Sequence, residues 1–252
     1  MAENLRITAG TGLHKGDRDY QQDQLGLITH PVFKQCLLGV IADGMGGRSG
    51  GRKASDQVLL TARQLFERFS PATDSPQSLL AQIVEDANVV IRLTAVSAEQ
   101  EPHSTLAAFL LLPDRSCHWL HVGDSRIYHF NNSRLIKRTL DHSYVQTLVD
   151  KGVLTPEQAN SHPQSNVLMA CLGTETRPPF SEHHIDVLEA GDSLMACSDG
   201  VWHYLSDEEA AYIIHQNTAK ESCEILIQTA RDRARGRGDN LSVIVVKFDA
   251  KA

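Results

Sequence analysis

The chain is short of aromatic residues, of net positive charge, of long apolar runs and of paired cysteines, and each shortage removes a class of protein. Aromatics make up 6% of its 252 residues, and Lys and Arg number 24 against 31 Asp and Glu. A formal charge of -7 offers no bulk positive field for a polyanion, so no nucleic-acid partner is expected. The five cysteines (Cys36, Cys117, Cys171, Cys197 and Cys223) never stand in a Cys-x-x-Cys pair. Their odd number and scatter suit a reducing compartment, and most sit in apolar surroundings as small hydrophobes. The longest aliphatic run, Leu106–Leu112, is too short to span a bilayer, and the opening "MAENLRITAG" has no apolar signal core. A cytoplasmic monomer with no membrane partner is expected. No repeat or low-complexity linker divides the sequence, so residues 1–252 read as one domain.

What is present is a set of short β-like runs and two blocks of helix. "LRITAGT", "QLGLIT" and "QCLLGVIA" read as strands. Residues 53–69 and 78–96 then carry apolar side chains at helical spacing, with "SPATDSP" as the turn between them. Strands resume at "LAAFLLL", "SCHWLHVG", "RIYHF" and "RLIKR". They return at "HHIDVL", "DSLMACS" and "LSVIVVKF", around helices at 207–215 and 219–235. Elements arriving in blocks, not in strict alternation, predict an α+β fold with antiparallel sheets. Several strands are apolar on both faces, which predicts helices covering the sheets.

The stretch "LLGVIADGMGGRSGGRKAS" places one carboxylate, Asp43, at the end of an apolar run and follows it with glycines. The loop lacks the Lys-Ser/Thr ending of a Walker motif and the spacing of a dinucleotide fingerprint. Other acids share its setting. Asp124 follows "LHVG", Asp199 follows "LMACS", Asp239 precedes "NLSVIVV", and Asp23 precedes "QLGLIT". Singly, each reads as a turn residue whose side chain caps local backbone. Together they would converge wherever the strand ends converge, and crowded carboxylates need protons or cations. An oxygen-only donor set favours Mg²⁺ or Mn²⁺ over Zn²⁺. Gly44 leaves backbone oxygen open to close approach.

Seven segments, in order along the chain, carry a resemblance: "GDRDYQQD", "IADGMGG", "STLAAFLL", "HVGDSRIY", "RTLDHS", "CSDGVWHYL" and "GDNLSVIVV". The sequence resembles the metal-dependent protein phosphatase 2C family in its compact bacterial form. That resemblance implies a four-layer α-β-β-α sandwich, with two antiparallel sheets face to face, helix pairs outside and a metal cluster at one end. It makes Asp43, Asp199 and Asp239 ligands of one ion. Asp43 and the Gly44 carbonyl, with Asp23, belong to a second, and Asp124 with Asp199 to a possible third. Arg18 matches the arginine that grips the substrate phosphate, a task suited to a planar bidentate fork. The implied activity is hydrolysis of phosphoserine and phosphothreonine in proteins by a metal-activated water, without a covalent enzyme intermediate, opposite a bacterial Ser/Thr kinase. Residues 143–170 would form a flap beside the site that reads the phosphoprotein, with Gln146 and His162 as exposed selectivity positions.

The sequence departs from the family pattern in places. Met45 stands where many eukaryotic relatives carry a His, so no residue is assigned as general acid. Gln21 and Gln22 replace the more usual Asn and Glu near Asp23. His142 reads as a turn-fixing residue, and the basic run 231–238 as the solvated end of a helix. Two other functions fit the same residues: a catalytically silent phosphoprotein-binding regulator, and a hydrolase of small phosphoesters. The intact acids speak against the first.

Overall fold

The computed structural model describes residues 5–47, 49–98 and 101–251. Arg48, which interrupts the Walker-type pattern, and the first four residues lie outside the described residues. In chain order the elements are β1 (Leu5–His14), β2 (Asp23–Thr29), β3 (Leu37–Met45), α1 (Gly50–Phe66), α2 (Pro76–Ala98), β4 (His103–Ser104), β5 (Leu106–Leu111) and β6 (Cys117–Val122). They continue with β7 (Arg126–Asn131), β8 (Arg134–Arg138), α3 (Tyr144–Asp150), α4 (Pro156–Asn160), β9 (Ser181–Ile185), β10 (Asp192–Cys197), α5 (Asp199–Trp202), α6 (Asp207–Gln216), α7 (Ala219–Ala234) and β11 (Leu241–Ala250). One sheet runs β1-β11-β10-β7-β8 and the other β2-β3-β5-β6-β9, with β4 added beside β3. The pairings are antiparallel throughout.

The period of two along each strand sorts the apolar residues into three layers. Ile41, Ala107, Phe109, Ile127, Leu194, Ala196, Ile244 and Val246 interdigitate between the sheets. Their neighbours in sequence, among them Leu38, Val40, Ala108 and Leu110, face outward under Val58, Ala62, Ile83 and Ala87 of α1 and α2. On the other side Met195, Val243 and Val245 pack under Ala211, Ile214, Cys223 and Leu226 of α6 and α7. Strands that are apolar on both faces therefore read correctly: neither face of the central strands meets water. This is the expected four-layer α-β-β-α sandwich. Four cysteines (Cys36, Cys117, Cys197 and Cys223) are buried and free, serving as core atoms.

Several boundaries differ from the sequence expectation. The first helix begins at Gly50, three residues before the expected 53, so part of the glycine run is helix and not loop. Helix propensity disfavours glycine there, but packing decides: a Cβ on Gly51 would press on the Gly44 carbonyl and the Gln22 side chain. Asp43 is not the last residue of its strand. β3 continues through Gly44 and Met45, changing partner from β5 to β4. Asp23 is the first residue of β2, directly opposite Asp43, and not a residue outside the strand. β9 starts at Ser181, two residues before the expected 183.

Candidate metal and phosphate site

The site grows from the same period of two. On β3, Ile41 points between the sheets, so Asp43 does too; on β2, Leu25 and Asp23 stand in the same relation. The series Leu194, Ala196 continues one step past β10 to Ser198, and Val246, Ile244 continues back to Ser242. At one end, then, the apolar layer turns polar. Asp23, with no exposed surface, accepts a hydrogen bond from Ser198 Oγ at 2.7 Å, and Ser198 Oγ meets Ser242 Oγ at 3.0 Å. The Asp43 amide donates to Thr105 Oγ1 at 3.0 Å, and Thr105 N–H donates to the Asp43 carbonyl at 2.9 Å.

The other acids arrive on turns. Asp199 opens α5, after the N-cap Ser198. Asp124 lies in the β6–β7 turn, 8% exposed, and Asp239 lies in the loop before β11. The Asp239 loop is stapled to the Arg18 loop. Asn240 Nδ2 donates to the carbonyls of Lys15 and Tyr20 at 2.8 and 2.9 Å, its Oδ1 accepts from Gln22 N–H at 2.6 Å, and Asp17 Oδ2 accepts from Gly238 N–H at 2.7 Å. Gly200 leaves this loop room, since a Cβ there would collide with the Asn240 carbonyl. Arg18 Nη2 donates to Asp239 Oδ2 at 2.5 Å, so the expected phosphate-gripping arginine stands on a candidate ligand.

Four carboxylates at one sheet end are perturbed by burial and by the charges around them. Desolvation, then the charges of Asp23, Asp199, Asp124 and Asp239, holds Asp43 well above the usual carboxylate range. Asp199 is raised in the same sense by desolvation, then by Asp124, Asp239 and Asp23. Burial pushes Asp23 up to about 6 against the hydrogen bonds from Ser198 and Ser242. Burial and the charge of Asp141 push Asp124 up to about 7, with Arg126 opposing. Asp23 Oδ1 and Asp199 Oδ1 are buried without a hydrogen-bond partner, which is costly for oxygens with nothing to bind. Among the described residues, no three His, Cys, Asp or Glu side chains close around a single point. Repulsion between like charges opposes that closure, and a cation would offset it. An oxygen-only set with orphaned carboxylate oxygens fits a hard divalent ion.

This coupling carries a prediction. Carboxylates raised to about 6 and 7 retain protons near neutrality, and a cation must displace them. Mn²⁺ binding should therefore release protons at pH 6.5–7 and release progressively fewer above the raised values, with affinity climbing in step. Calorimetry in buffers of different ionisation enthalpy reads this directly. Binding heats independent of buffer at pH 6.5 would show that no protonated carboxylate is engaged.

A cavity of about 580 Å³ opens beside the acids, lined by Asp124, Asp199, Asp239 and Arg126, and by Val145, Gln146 and Val149 of α3. The segment 143–170 thus forms one wall of the site. Its ends are pinned: Tyr144 N–H donates to Val167 O at 2.8 Å and Met169 N–H to His142 O at 2.7 Å. Thr155 and Gln158 form a capping box for α4, with Pro156 at its start. Of the two selectivity positions, Gln146 lines the cavity, whereas His162 does not and leans toward the Tyr144 ring, 6.5 Å away. His142 Nδ1 accepts from Gly123 N–H at 3.2 Å, and burial lowers its pKa to about 4, so it serves the turn before Asp124 as a neutral ring. Gln22 Nε2 is spent on the Gly47 carbonyl at 2.8 Å.

Sequence reading missed Ser198, Ser242, Thr105, Asp17 and Asn240. The signal for the first three was present, because each extends an inward-facing alternation by one step beyond apolar residues. Asp17 and Asn240 lie in the quoted segments but act across loops more than 200 residues apart, and nothing local shows what they bind.

Comparison with known proteins agrees with this picture. A family model described as protein phosphatase 2C matches residues 12–232. The serine/threonine protein phosphatase PstP of Mycobacterium tuberculosis is 37% identical over 223 residues, covering 85% of this chain. The match takes in only 41% of that relative's length. Protein phosphatase PhpP of Streptococcus pneumoniae is 28% identical over 214 residues, covering 83% of this chain and 85% of its own. Among solved structures, the catalytic domain of PstP in complex with two manganese ions superposes with a TM-score of 0.81 at 29% identity, covering 98% of this chain and 100% of that one. By the extent of the family match, the order of its segments and the shared fold, the chain belongs to the protein phosphatase 2C family.

Proposed function

We propose that this chain is a metal-dependent phosphatase for phosphoserine and phosphothreonine in proteins, acting opposite a Ser/Thr kinase. The observation that carries the reading is the meeting of four buried, mutually perturbed carboxylates with the Arg18–Asp239 pair at one end of the inter-sheet layer. Asp43, Asp199 and Asp239 would hold one Mn²⁺ or Mg²⁺, and Asp43, the Gly44 carbonyl and Asp23 a second, with Asp124 and Asp199 available to a third. Bound there, such ions supply Lewis acidity and lower the pKa of water. The chain's own part is orientation. Ser198 and Ser242 hold Asp23, Thr105 holds the Asp43 backbone, and Asn240 brings Arg18 to the Asp239 loop. Arg18, 62% exposed at its side chain, can turn its fork from Asp239 to a phosphate. The buried thiols have no place in this scheme.

Turnover of a phosphothreonine peptide should vanish in chelator and return with Mn²⁺ or Mg²⁺. Full turnover by metal-free protein would sink the reading, and turnover of small phosphoesters alone would favour a small-molecule hydrolase. Arg18→Ala should raise KM several-fold with a smaller fall in kcat, and Arg18→Lys should restore part of the loss. An unchanged KM would leave Arg18 as a partner of Asp239 only. We assign the reading of phosphoprotein sequence to the segment 143–170 through Gln146, the selectivity position that reaches the cavity.

A further inference from the structure

Asp124 lies in the turn that links β6 of one sheet to β7 of the other, Asp199 follows β10, and one side chain connects the two. Trp202 ends the single helical turn that Asp199 begins, and its indole Nε1–H donates to the Asp124 backbone carbonyl at 2.9 Å. The indole is itself held in place. The Arg126 guanidinium lies 3.4 Å from its ring centroid, a stacked cation–π contact. Arg126 stands two residues after Asp124 and cannot swing away, because its Nε and Nη2 donate to Asp141 Oδ1 and Oδ2 at 2.7 and 2.8 Å. The result is a closed circuit: Asp124, along the backbone to Arg126, through the stack to Trp202, and by hydrogen bond back to Asp124. Asp199 is fixed to it by one turn of helix.

We propose that Trp202, clamped by Arg126 and Asp141, is a positioning residue that sets Asp124 against Asp199, so that the pair can share one cation. This rests on the reading of both acids as metal ligands. The circuit acts on a backbone carbonyl, so it fixes where the Asp124 carboxylate originates without consuming either of its oxygens. The indole hydrogen bond acts on Asp124 alone of the acids, so its loss falls on the ion that Asp124 would hold.

Trp202→Phe separates positioning from packing, because a phenyl ring keeps a face for Arg126 but has no N–H. Calorimetric titration with Mn²⁺, thermal unfolding in chelator, and kinetics on a small aryl phosphate are the readouts. The class of Mn²⁺ binding that Asp124→Ala removes should lose affinity by about 3- to 10-fold, the scale of one hydrogen bond. The remaining binding, the unfolding temperature in chelator and KM should stay near wild type. The Mn²⁺ concentration for half-maximal turnover should rise by the same factor. Trp202→Leu, which also removes the stack, should lose more. A Phe variant with the wild-type isotherm overturns the proposal. So does a Phe variant in which both binding classes and the unfolding temperature fall together, since that marks a merely structural residue. A wild-type protein that takes up no Mn²⁺ overturns the metal reading and this link with it.

Discussion

Asp43→Ala is expected to lower kcat by several orders of magnitude while leaving the metal-free fold as stable as wild type, or more stable. The two halves of this result have one cause. Desolvation and neighbouring charges hold Asp43 well above the usual carboxylate range, so its ionised form is disfavoured in the folded chain. For a carboxylate raised in this way, the penalty is absent below the unfolded value near 4 and fully present above the folded value. Removing the side chain therefore relieves the metal-free protein at pH 8 and gives no relief at pH 4. Catalysis depends on the same charge, because Asp43 is the acid proposed to serve both core ions, and loss of a water-activating ion costs orders of magnitude. Asp239→Ala should lose kcat on a similar scale. The measurements are steady-state kinetics with saturating Mn²⁺, and melting curves in chelator at both pH values. Near-normal kcat in both variants would mean that the cluster is misplaced. A melting temperature of Asp43→Ala well below wild type at pH 8 would mean that its carboxylate supports the fold.

The second large effect concerns stability. Arg126 and Asp141 form a two-pronged ion pair with side chains only 10% and 7% exposed. Asp141→Ala leaves the guanidinium buried beside Trp202 without its hydrogen-bonded anion, and breaking a buried pair from one side typically costs 3–5 kcal/mol. The pair lines the cavity, where water reaches part of it, so about 3 kcal/mol is expected, the low end of that range. In a chain of this size that corresponds to a fall of about 6–12 °C in melting temperature. Asp141→Asn, which keeps one acceptor, should lose less. Thermal and urea unfolding in chelator would measure both. A loss below about 1 kcal/mol would show that solvent screens Arg126 as it does a surface charge.

Much of this molecule was legible because its rules are local. Apolar runs at period two on both faces predicted covered strands, and the three-layer core follows from them. Thr155-Pro156-Glu157-Gln158 has the local pattern of a helix start, and the structure shows the capping box. The expected start of the first helix was wrong because glycine was read by propensity, whereas Gly51 is needed for close approach to Gly44. Gln146 and His162 were both selectivity positions by the resemblance; Gln146 lines the cavity, while the His162 ring lies 6.5 Å from that of Tyr144, a difference that only the folded segment shows.

Composition and motif order alone determined the chemical character of the protein: an acidic chain with carboxylates at its strand ends and mostly buried, unpaired thiols, in an α+β arrangement. They also singled out Asp43, Asp124, Asp199 and Asp239, since an Asp beside Gly or Asn at a strand end is a local pattern. Only tertiary structure decided which groups answer to which. Asp23 faces Asp43 through strand register, Asn240 reaches Tyr20 across 220 residues, and Trp202 binds the carbonyl of Asp124 across 78. The physical reason is that alternation fixes the face a side chain takes, but register and sheet stacking fix its neighbours. Those depend on how every other strand has packed.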